Sequence, residues 1–479
     1  MATLGVDLGT GSVKAAMVGA DGKIRIRASH TYRVDAPHPG WAECDPAAWL
    51  SATQDVVARV TGLLGEAPEA VGLAGQMHGV VVVDDHFQPL RPAILWADSR
   101  SASQTQALAE ALPREALSRL GSPAVAGFAA TTIAWLEANE PLIMERAAYV
   151  MQPKDWLRVM LGGERATDPS DASGTLLYDI MSGTWSRTAL AWAGLEESLL
   201  SPLRASTAPS GALKFGSLAE EVPSVVGGAD TACALLGLGL APGDGFVAVG
   251  SGAQVVRVMS QPRLDQTLRT HTFATAGAIG AGWYRMAAML NSGLALSTAL
   301  SWLGASIEEA TAALGHGVEA SDPIFTPYLA GERTPFMNPQ LRGSWDGLSL
   351  ATDRAAMLRS VLEAVAQAVA LGVDAVQSSG DRLPDVVPLI GGGTHDPAFR
   401  QLLADASGLA LAIAEAPDAA VVGAAVLAGG PAITVRRAAP LGTVEPHEVA
   451  GRLLRERRQK MVELVLSKQE GEIGQPPGC

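Results

Sequence analysis

The sequence predicts an α/β protein made of two similar domains that face each other across a cleft. Its 479 residues are enough for two or three domains of ordinary size. One segment also occurs twice: residues 6–11 (VDLGTG) and 247–252 (VAVGSG) share the order apolar, any residue, apolar, glycine, hydroxyl, glycine. A further glycine triplet stands at residues 391–393. We therefore expect an internal duplication whose glycine turns surround a nucleotide.

Composition and charge exclude several classes of protein. The net charge is −14, and we find no basic stripe outside residues 452–460, so no nucleic-acid partner is expected. No uninterrupted apolar run approaches the roughly 18 residues of a membrane span, and the N-terminus lacks the features of a signal peptide. We expect no membrane partner. The three cysteines have neither zinc-site nor disulfide spacing, which fits a cytoplasmic location.

The first element is a predicted β-hairpin. Residues 3–7 form an apolar strand, a glycine turn follows, and residues 13–18 form the return strand. Glycines let backbone N–H groups approach a phosphate closely, and one or two carboxylates suffice to hold hydrated Mg²⁺. An ordinary turn in which Asp7 is only an acceptor stays open. The candidate ligands are Gly9, Thr10, Gly11, Ser12 and Lys14 for phosphate and Asp7 for Mg²⁺.

The next elements are a helix and a strand with polar residues at its end. An Asp-Pro pair at 45–46 predicts a helix over 46–64, with the aspartate as cap. Residues 70–75 form a predicted strand with 80–83 as its hairpin partner, and Met77 and His78 lie between them. His78 could bind a substrate hydroxyl, or its ring could be satisfied by backbone groups.

Asp230 is the central candidate. It lies in a run of small residues (226–232) before an apolar helix predicted over 233–240. This pattern indicates a carboxylate exposed at a helix N-terminus, although aspartate is also a common helix cap. Farther along, residues 353–377 predict a core helix and residues 418–428 a small-residue helix that packs closely on a neighbour. For Glu332 and Arg333, a buried ion pair or a place in the cleft is open, and we favour a structural role.

The predicted domains are residues 1–241, with the first phosphate hairpin, and residues 242–445, with the second glycine hairpin and the glycine triplet. The turn at 242–245 (PGDG) separates them. From 446 we expect a charged helix to about 468, followed by a flexible tail.

Five blocks give the chain a family resemblance. They are AGQMHG (74–79), LRPAILWADSR (90–100), PKDWLR (153–158), PYLAGERTP (327–335) and LIGGGTHDPAFRQLLAD (389–405). The chain resembles the FGGY carbohydrate kinases, and among them the xylulokinases, over residues 3–430. The resemblance implies two ribonuclease-H-like domains of the actin-like ATPase type around a central cleft. It also implies ATP and Mg²⁺ in the cleft and phosphate transfer to a sugar.

The same resemblance assigns roles to residues. Asp230 would be the catalytic base that accepts the proton of the sugar hydroxyl. Met77, His78, Asp230 and Thr231 would contact the sugar, and Asp7 would lie near Mg²⁺. The implied nucleotide contacts are the first hairpin together with Gly250, Ser251 and Gly252 at the β- and γ-phosphates, and Gly391, Gly392 and Gly393 at the adenosine.

The implied reaction is phosphorylation of D-xylulose to D-xylulose 5-phosphate. Thr231 and Ala97 stand where the family usually has asparagine, so a pentitol such as xylitol or arabinitol, or another ketopentose, stays open as the substrate. A non-catalytic sugar sensor is disfavoured because Asp7 and Asp230 are both present. A dinucleotide dehydrogenase is disfavoured because no GxGxxG follows the first strand. The resemblance leaves a homodimer open.

Overall fold

The computed structural model describes residues 2–278, 280–414, 418–435, 437 and 439–473. The strands up to residue 229 are β1 (Ala2–Leu8), β2 (Ser12–Gly19), β3 (Ile24–Thr31), β4 (Glu43–Cys44), β5 (Val71–Gly75), β6 (Val81–Val83), β7 (Ala93–Ile94), β8 (Tyr149–Met151), β9 (Tyr178–Asp179), β10 (Thr184–Trp185), β11 (Pro209–Leu213), β12 (Val222–Val225) and β13 (Gly228–Ala229). The helices up to residue 237 are α1 (Pro46–Leu64), α2 (Ala102–Ala111), α3 (Arg114–Arg119), α4 (Ala129–Asn139), α5 (Pro141–Arg146), α6 (Pro153–Met160), α7 (Pro169–Ala172), α8 (Arg187–Ala193) and α9 (Asp230–Gly237).

The remainder of the described chain repeats this mixture of strands and helices. Its strands are β14 (Gly245–Val249), β15 (Ala253–Met259), β16 (His271–Ala274), β17 (Trp283–Met289), β18 (Ile324–Thr326), β19 (Ser344–Asp346), β20 (Val386–Ile390), β21 (Ala410–Ile413) and β22 (Gly442–Val444). Its helices are α10 (Gly293–Trp302), α11 (Ile307–Ala313), α12 (Arg354–Ser378), α13 (Pro397–Ser407), α14 (Ala419–Gly429) and α15 (Glu448–Ile473).

Two mixed sheets of the same design form the centre of the molecule. The first has the order β11-β12-β5-β1-β2-β3, and the second the order β16-β17-β15-β14-β20-β21-β22. In each, an antiparallel hairpin (β1 with β2, β14 with β15) is followed in space by a parallel strand (β5 or β20). The duplication inferred from the two glycine segments is confirmed at the level of strand pairing.

Local sequence explains why the helices form where they do. Asp45 caps α1 by accepting from the N–H of Ala47, and Pro46 occupies the first helical turn, as predicted. The long helix α12 is the core element expected from its apolar spacing. By length and composition it could cross a membrane, but 94% of its apolar window is buried inside the protein.

Helix α14 packs against α9, β1 and β5, although it follows the second sheet's strands in sequence. Glycines allow this contact. A methyl group at Gly72 would lie 1.8 Å from the carbonyl oxygen of Ala424, and one at Gly423 would lie 1.8 Å from that of Cys233. The close packing predicted for this small-residue segment is therefore confirmed.

Three local predictions need correction. Strand β6 pairs with β8, not with β5, because β5 is flanked by parallel neighbours. Helix α9 begins at Asp230 itself, three residues before the predicted start. The last helix extends to Ile473, beyond the predicted end near 468, and the predicted flexible tail from 474 onward lies outside the described residues.

Candidate active site

Three of the predicted site residues lie at one edge of the first sheet. Strands β1, β5 and β13 are parallel, with Asp7 opposite Ala74 and Ala229 opposite Gly75. Parallel strands end at the same edge of a sheet, so the ends of these three strands bring Asp7, Asp230 and His78 into one region. The proximity is also electrostatic, since the Asp230 carboxylate helps to raise the pKa of Asp7.

Asp230 is the first residue of α9 and is half-buried. One carboxylate oxygen, Oδ1, accepts hydrogen bonds from the Thr231 N–H at 2.5 Å and from the Thr231 hydroxyl at 3.2 Å. No other described residue donates to this carboxylate. Burial raises the pKa of Asp230, while the two bonds from Thr231 oppose that rise. The arrangement fixes one oxygen and leaves Oδ2 able to accept a proton from a ligand.

Asp7 is the penultimate residue of β1, and one of its carboxylate oxygens lacks a partner. Its Oδ1 atom is buried without a hydrogen bond from any described residue. Burial raises the pKa of Asp7 to about 7, and the carboxylates of Asp230 and Asp418 add to the rise, whereas Lys14 opposes it. An orphaned carboxylate oxygen next to further carboxylates suits a hard cation, so these residues fit a hydrated Mg²⁺.

His78 is held in a conformation that few side chains adopt. Its backbone φ is 72°, in the left-handed region. The ring stacks on Phe128 with centroids 3.8 Å apart, and Nδ1 lies 2.6 Å from the carbonyl oxygen of Gly174. A carbonyl only accepts, so Nδ1 carries the proton. Burial lowers the pKa of His78 to about 3, and the neutral ring therefore presents Nε2 as an acceptor.

The other two predicted sugar contacts, Met77 and Thr231, are hydrogen-bonded to groups of the protein itself. Met77 is buried, and its sulfur accepts a hydrogen bond from the Tyr284 hydroxyl at 3.6 Å. The Thr231 hydroxyl is engaged with Asp230. Both residues neighbour the predicted site, and their contact with a sugar stays a prediction.

The first hairpin turns between Gly9 and Ser12. The N–H of Gly9 donates to the carbonyl of Ser12 at 2.9 Å. Three side chains support the turn: the Tyr32 hydroxyl and Gln76 Nε2 both donate to the Gly9 carbonyl, and Trp96 donates Nε1 to the Thr10 hydroxyl oxygen at 2.8 Å. Gly11 is exposed, and a methyl group built on it would meet no atom within 4 Å. Side chains therefore support the turn through hydrogen bonds, while the position of Gly11 is open to solvent.

The Lys14 ammonium forms an ion pair with Asp418. Lys14 lies on β2 opposite Asp7, and its Nζ atom is 3.1 Å from Asp418 Oδ1 at the start of α14. Arg27 forms a second ion pair with Asp418 at 2.5 Å. The predicted contact of Lys14 with phosphate would thus have to compete with Asp418.

The second hairpin and the glycine triplet meet at the end of β14. The N–H of Gly250 donates to the carbonyl of Gly252 at 2.8 Å, and Ser251 is exposed. Gly391 follows β20 with φ 110°, and a methyl group on it would lie 2.3 Å from the Val249 carbonyl oxygen. Only glycine fits this position. Gly392 and Gly393 continue in a short 3₁₀ turn, Gly392–Thr394.

Sequence reasoning missed the buried charges that hold the segment before Asp230. The Lys154 ammonium lies at 2.7, 3.1 and 2.9 Å from Asp155, Asp168 and Asp171, and all four side chains are buried.

Two serines connect this cluster to the segment before Asp230. Ser170 and Ser206 each donate to Asp168. Ser170 accepts the N–H of Ala229 at 2.9 Å, and the backbone carbonyl of Ser206 accepts that of Gly227 at 3.0 Å. The available signal was the two basic and three acidic residues of this network, which all lie within the segment 154–171.

Arg158 completes this network. It donates to Asp155 Oδ1 at 2.8 Å and to the Val226 carbonyl at 2.5 Å. Three residues of the segment 226–229 are therefore hydrogen-bonded to this network, Val226 directly by Arg158 and the other two through serines. A buried ion cluster is weak evidence for stability, but it can fix geometry. We interpret its place in the fold as support for the position of Asp230.

Comparison with known proteins shows which family the chain matches. The model of the FGGY family of carbohydrate kinases, N-terminal domain, matches residues 2–237, and that of the C-terminal domain matches residues 248–430. The chain is 34% identical to the xylulose kinase of Escherichia coli K12 over 418 residues, which is 85% of this chain and 84% of that protein. It is 35% identical to the xylulose kinase of Klebsiella pneumoniae over 421 residues, 85% of each.

A solved structure shows the same fold. The crystal structure of a "xyloylose kinase" from Brucella ovis superposes with a TM-score of 0.90 at 30% identity, covering 98% of this chain and 100% of that one. The predicted fold class, two ribonuclease-H-like domains of the actin-like ATPase type, is thereby confirmed.

Proposed function

The chain belongs to the FGGY family of carbohydrate kinases and is a phosphotransferase, and we propose that it transfers the γ-phosphoryl group of ATP to D-xylulose. The products are D-xylulose 5-phosphate and ADP. Asp230 acts as general base in the cleft between the two domains. The observation that carries this proposal is the half-buried Asp230 carboxylate, with one oxygen fixed by Thr231 and the other free, at the same sheet edge as Asp7.

Asp230 moves the proton. The sugar hydroxyl oxygen bonds to the γ-phosphorus while the bond from that phosphorus to ADP breaks, and the hydroxyl proton passes to Asp230. Burial raises the pKa of this carboxylate, which brings its basicity closer to what proton transfer at neutral pH requires. Because phosphoryl transfer is largely dissociative, a carboxylate is a sufficient base.

His78 orients the acceptor. Its protonated Nδ1 is committed to the Gly174 carbonyl, so Nε2 accepts a hydrogen bond from a second sugar hydroxyl. The ring cannot rotate freely because it stacks on Phe128. A fixed acceptor of this kind selects substrates that carry a hydroxyl at the matching position.

Glycine turns bind the phosphates in this proposal. Backbone N–H groups of the turns at 9–12 and 250–252 donate to the β- and γ-phosphates, and residues 391–393 lie at the adenosine. Mg²⁺, when bound, neutralises phosphate charge, and Asp7 with its free Oδ1 would hold it.

The choice of D-xylulose rests on the two xylulose kinases that are 34% and 35% identical to this chain. We also propose a cytoplasmic location and domain limits at 1–241, 242–445 and 446–479. A homodimer remains open, and light scattering of the purified protein tests it.

One observation favours a second candidate, the same chemistry on a pentitol or another ketopentose. The Thr231 hydroxyl donates to Asp230 and is not offered to the sugar. Ala97, which is exposed, has no polar group to offer. The amide groups that asparagines at positions 97 and 231 would offer to the sugar are therefore absent. Their loss can shift the preferred substrate.

The test is ADP release from ATP and Mg²⁺ with D-xylulose, xylitol, D-arabinitol, L-xylulose or D-ribulose in separate reactions. We expect the highest kcat/KM with D-xylulose. A pentitol or another ketose preferred by about tenfold, equivalent to about 1.4 kcal/mol of transition-state binding, replaces D-xylulose and leaves the role of Asp230 intact. No activity above the sugar-free rate with any acceptor contradicts the proposal.

A further inference from the structure

Arg333 is a cation without a counter-ion. It is half-buried, and no carboxylate in the described parts of the chain lies within ion-pair distance of its guanidinium. The fully buried arginines behave differently, since each is paired with a carboxylate. These pairs are Arg158 with Asp155, Arg285 with Asp381, Arg359 with Asp322 and Arg457 with Glu363. Burial lowers the pKa of Arg333 only to about 10, so it stays charged at neutral pH.

Its side chain lies between the two predicted subsites. The guanidinium carbon is 5.5 Å from the ring centroid of Trp96 and 5.9 Å from that of Phe128. Trp96 is hydrogen-bonded to Thr10 of the first phosphate hairpin, whereas Phe128 stacks on His78, the proposed sugar ligand. The positive charge is close enough to His78 to help lower its pKa.

The backbone of Arg333 is fixed to the second hairpin. The Glu332 carboxylate accepts the N–H groups of Arg333 at 2.8 Å and Leu290 at 2.7 Å, and Asn291 donates to it at 3.2 Å. Leu290 and Asn291 lead into α10, whose first N–H groups, those of Gly293 and Leu294, donate to the carbonyls of Gly250 and Ser251. Glu332 therefore has the structural role that the sequence favoured, but it forms no ion pair with the neighbouring guanidinium.

Arg333 thus extends from a loop that is linked to the second phosphate hairpin through the start of α10. Its side chain approaches Trp96, an aromatic ring bonded to the first hairpin. We propose that its guanidinium binds the phosphoryl group while that group passes from ATP to the sugar hydroxyl. This assignment rests on the proposed kinase reaction. Arg333 stays protonated and supplies only hydrogen bonds: the bond from phosphorus to ADP breaks, the bond to the sugar oxygen forms, and the proton goes to Asp230.

An arginine at this position can stabilise the negative charge on the transferred phosphoryl group. The oxygens of the transferred group carry negative charge in the transition state, and a planar guanidinium can donate two parallel hydrogen bonds to them. A fixed, partly desolvated cation stabilises that charge more strongly than a solvated one, because little solvent has to reorganise. An internal counter-ion would weaken this effect.

The experiment compares Arg333→Ala and Arg333→Lys with wild type, with Arg342→Ala as matched control. Arg342 lies in the same loop, is exposed, and donates only to the carbonyls of Pro339 and Leu341. We expect Arg333→Ala to lower kcat by about 10²–10³-fold and to leave the KM for the sugar nearly unchanged. Arg333→Lys should recover part of the loss, and added guanidinium ion should partly rescue Arg333→Ala.

A second measurement separates catalysis from folding. Kd for ADP is measured in the presence of Mg²⁺, with and without aluminium fluoride, which mimics the phosphoryl group. Each measurement is made without sugar and with each sugar of the panel. Wild type should gain ADP affinity from aluminium fluoride and Arg333→Ala should lose that gain, with equal thermal midpoints. An equal gain in both proteins, or no gain in wild type, overturns the proposal.

The two proposals fail separately. If wild type does not phosphorylate D-xylulose, the substrate assignment is wrong, while the aluminium fluoride measurement still decides the role of Arg333. If wild type is active and Arg333→Ala raises only the KM for the sugar, the guanidinium binds the acceptor and the inference is wrong. A thermal midpoint that falls in Arg333→Ala without guanidinium rescue assigns a structural role and also overturns it.

Discussion

The two glycine hairpins share a backbone plan and differ in chemistry. Each begins on a strand that pairs with an antiparallel return strand and a parallel neighbour. In the first hairpin Asp7 stands two residues before the turn glycine, whereas Ala248 holds that position in the second. Asp7 has a buried oxygen without a partner. The duplicated fold therefore carries the carboxylate in one copy only.

The hairpins also differ in what surrounds them. A methyl group on Gly11 would meet no atom, but one on Gly252 would lie 2.6 Å from the Met289 carbonyl oxygen. The second turn is bonded to the start of α10 through its carbonyls, and the first is braced by side chains. The second hairpin is therefore held by backbone contacts, and only the first carries a titratable residue, Asp7, at the equivalent strand position.

The largest expected effect is at Asp230. Asp230→Asn is nearly isosteric but removes the base, so kcat should fall by about 10²–10⁴-fold while Kd for ATP stays close to that of wild type. Steady-state kinetics and nucleotide titration measure the two quantities. Asp55→Asn, which removes an exposed carboxylate on α1, is the control and should keep wild-type turnover. A kcat near wild type for Asp230→Asn would falsify the base assignment.

The next effect tests the difference in charge between the hairpins. Asp7→Ala gives the first hairpin the residue of the second, and we expect kcat to fall by about 10²-fold because the cation site loses its carboxylate. The half-saturating Mg²⁺ concentration should rise, and an Mg²⁺ titration at fixed ATP measures it. Ala248→Ser, a small change at the equivalent position of the second hairpin, should alter neither quantity appreciably. Equal effects of the two substitutions contradict the division of roles.

Much of this comparison could be predicted from the sequence. The repeated glycine segment indicated the duplication, and Asp45-Pro46 indicated the start of α1, because hairpin turns and helix caps depend on a few local residues. The strand-edge position of Asp7 was also accessible from the apolar run before it. For Asp230, the neighbouring small residues indicated the helix N-terminus to within three residues.

The rest depends on contacts between distant parts of the chain. The pairing of β6 with β8 joins residues about 70 positions apart, and no local pattern specifies it. The network of Lys154 is similar, because its carboxylates approach only after the chain folds. Arg333 was assigned a structural role since a Glu-Arg pair suggests an ion pair, whereas the Glu332 carboxylate bonds to backbone N–H groups instead. Sequence gives residue types, but not which polar group is left unpaired.

The raised pKa of Asp7 predicts a pH-dependent cost in stability. An acid whose pKa rises from 3.8 to about 7 on folding binds more protons in the folded state between these values. The free energy of unfolding therefore falls as pH rises from about 4 to about 7, and the cost persists above pH 7. Asp7→Asn removes the charge and should be more stable than wild type at pH 8.

Thermal midpoints at pH 4 and pH 8 measure this effect, and the advantage of Asp7→Asn should vanish at the lower pH. Mg²⁺ should raise the midpoint of wild type at pH 8 more than that of Asp7→Asn. Asp21→Asn, an exposed change in the turn after β2, controls for loss of one negative charge. If the thermal midpoint of Asp7→Asn exceeds that of wild type equally at both pH values, burial of the charged Asp7 carboxylate does not destabilise the fold.

The smallest effect concerns the glycines of the two turns. Gly252→Ala should lower the thermal midpoint, because its methyl group would lie 2.6 Å from the Met289 carbonyl oxygen, which belongs to the backbone and cannot move aside cheaply. Gly11→Ala should leave the midpoint unchanged and raise the KM for ATP, since its methyl group would occupy the open face that the proposal assigns to phosphate. Differential scanning fluorimetry and ATP kinetics on the pair separate the two outcomes. If Gly11→Ala changes neither quantity, the phosphates do not approach the first turn, and the second hairpin alone would bind them.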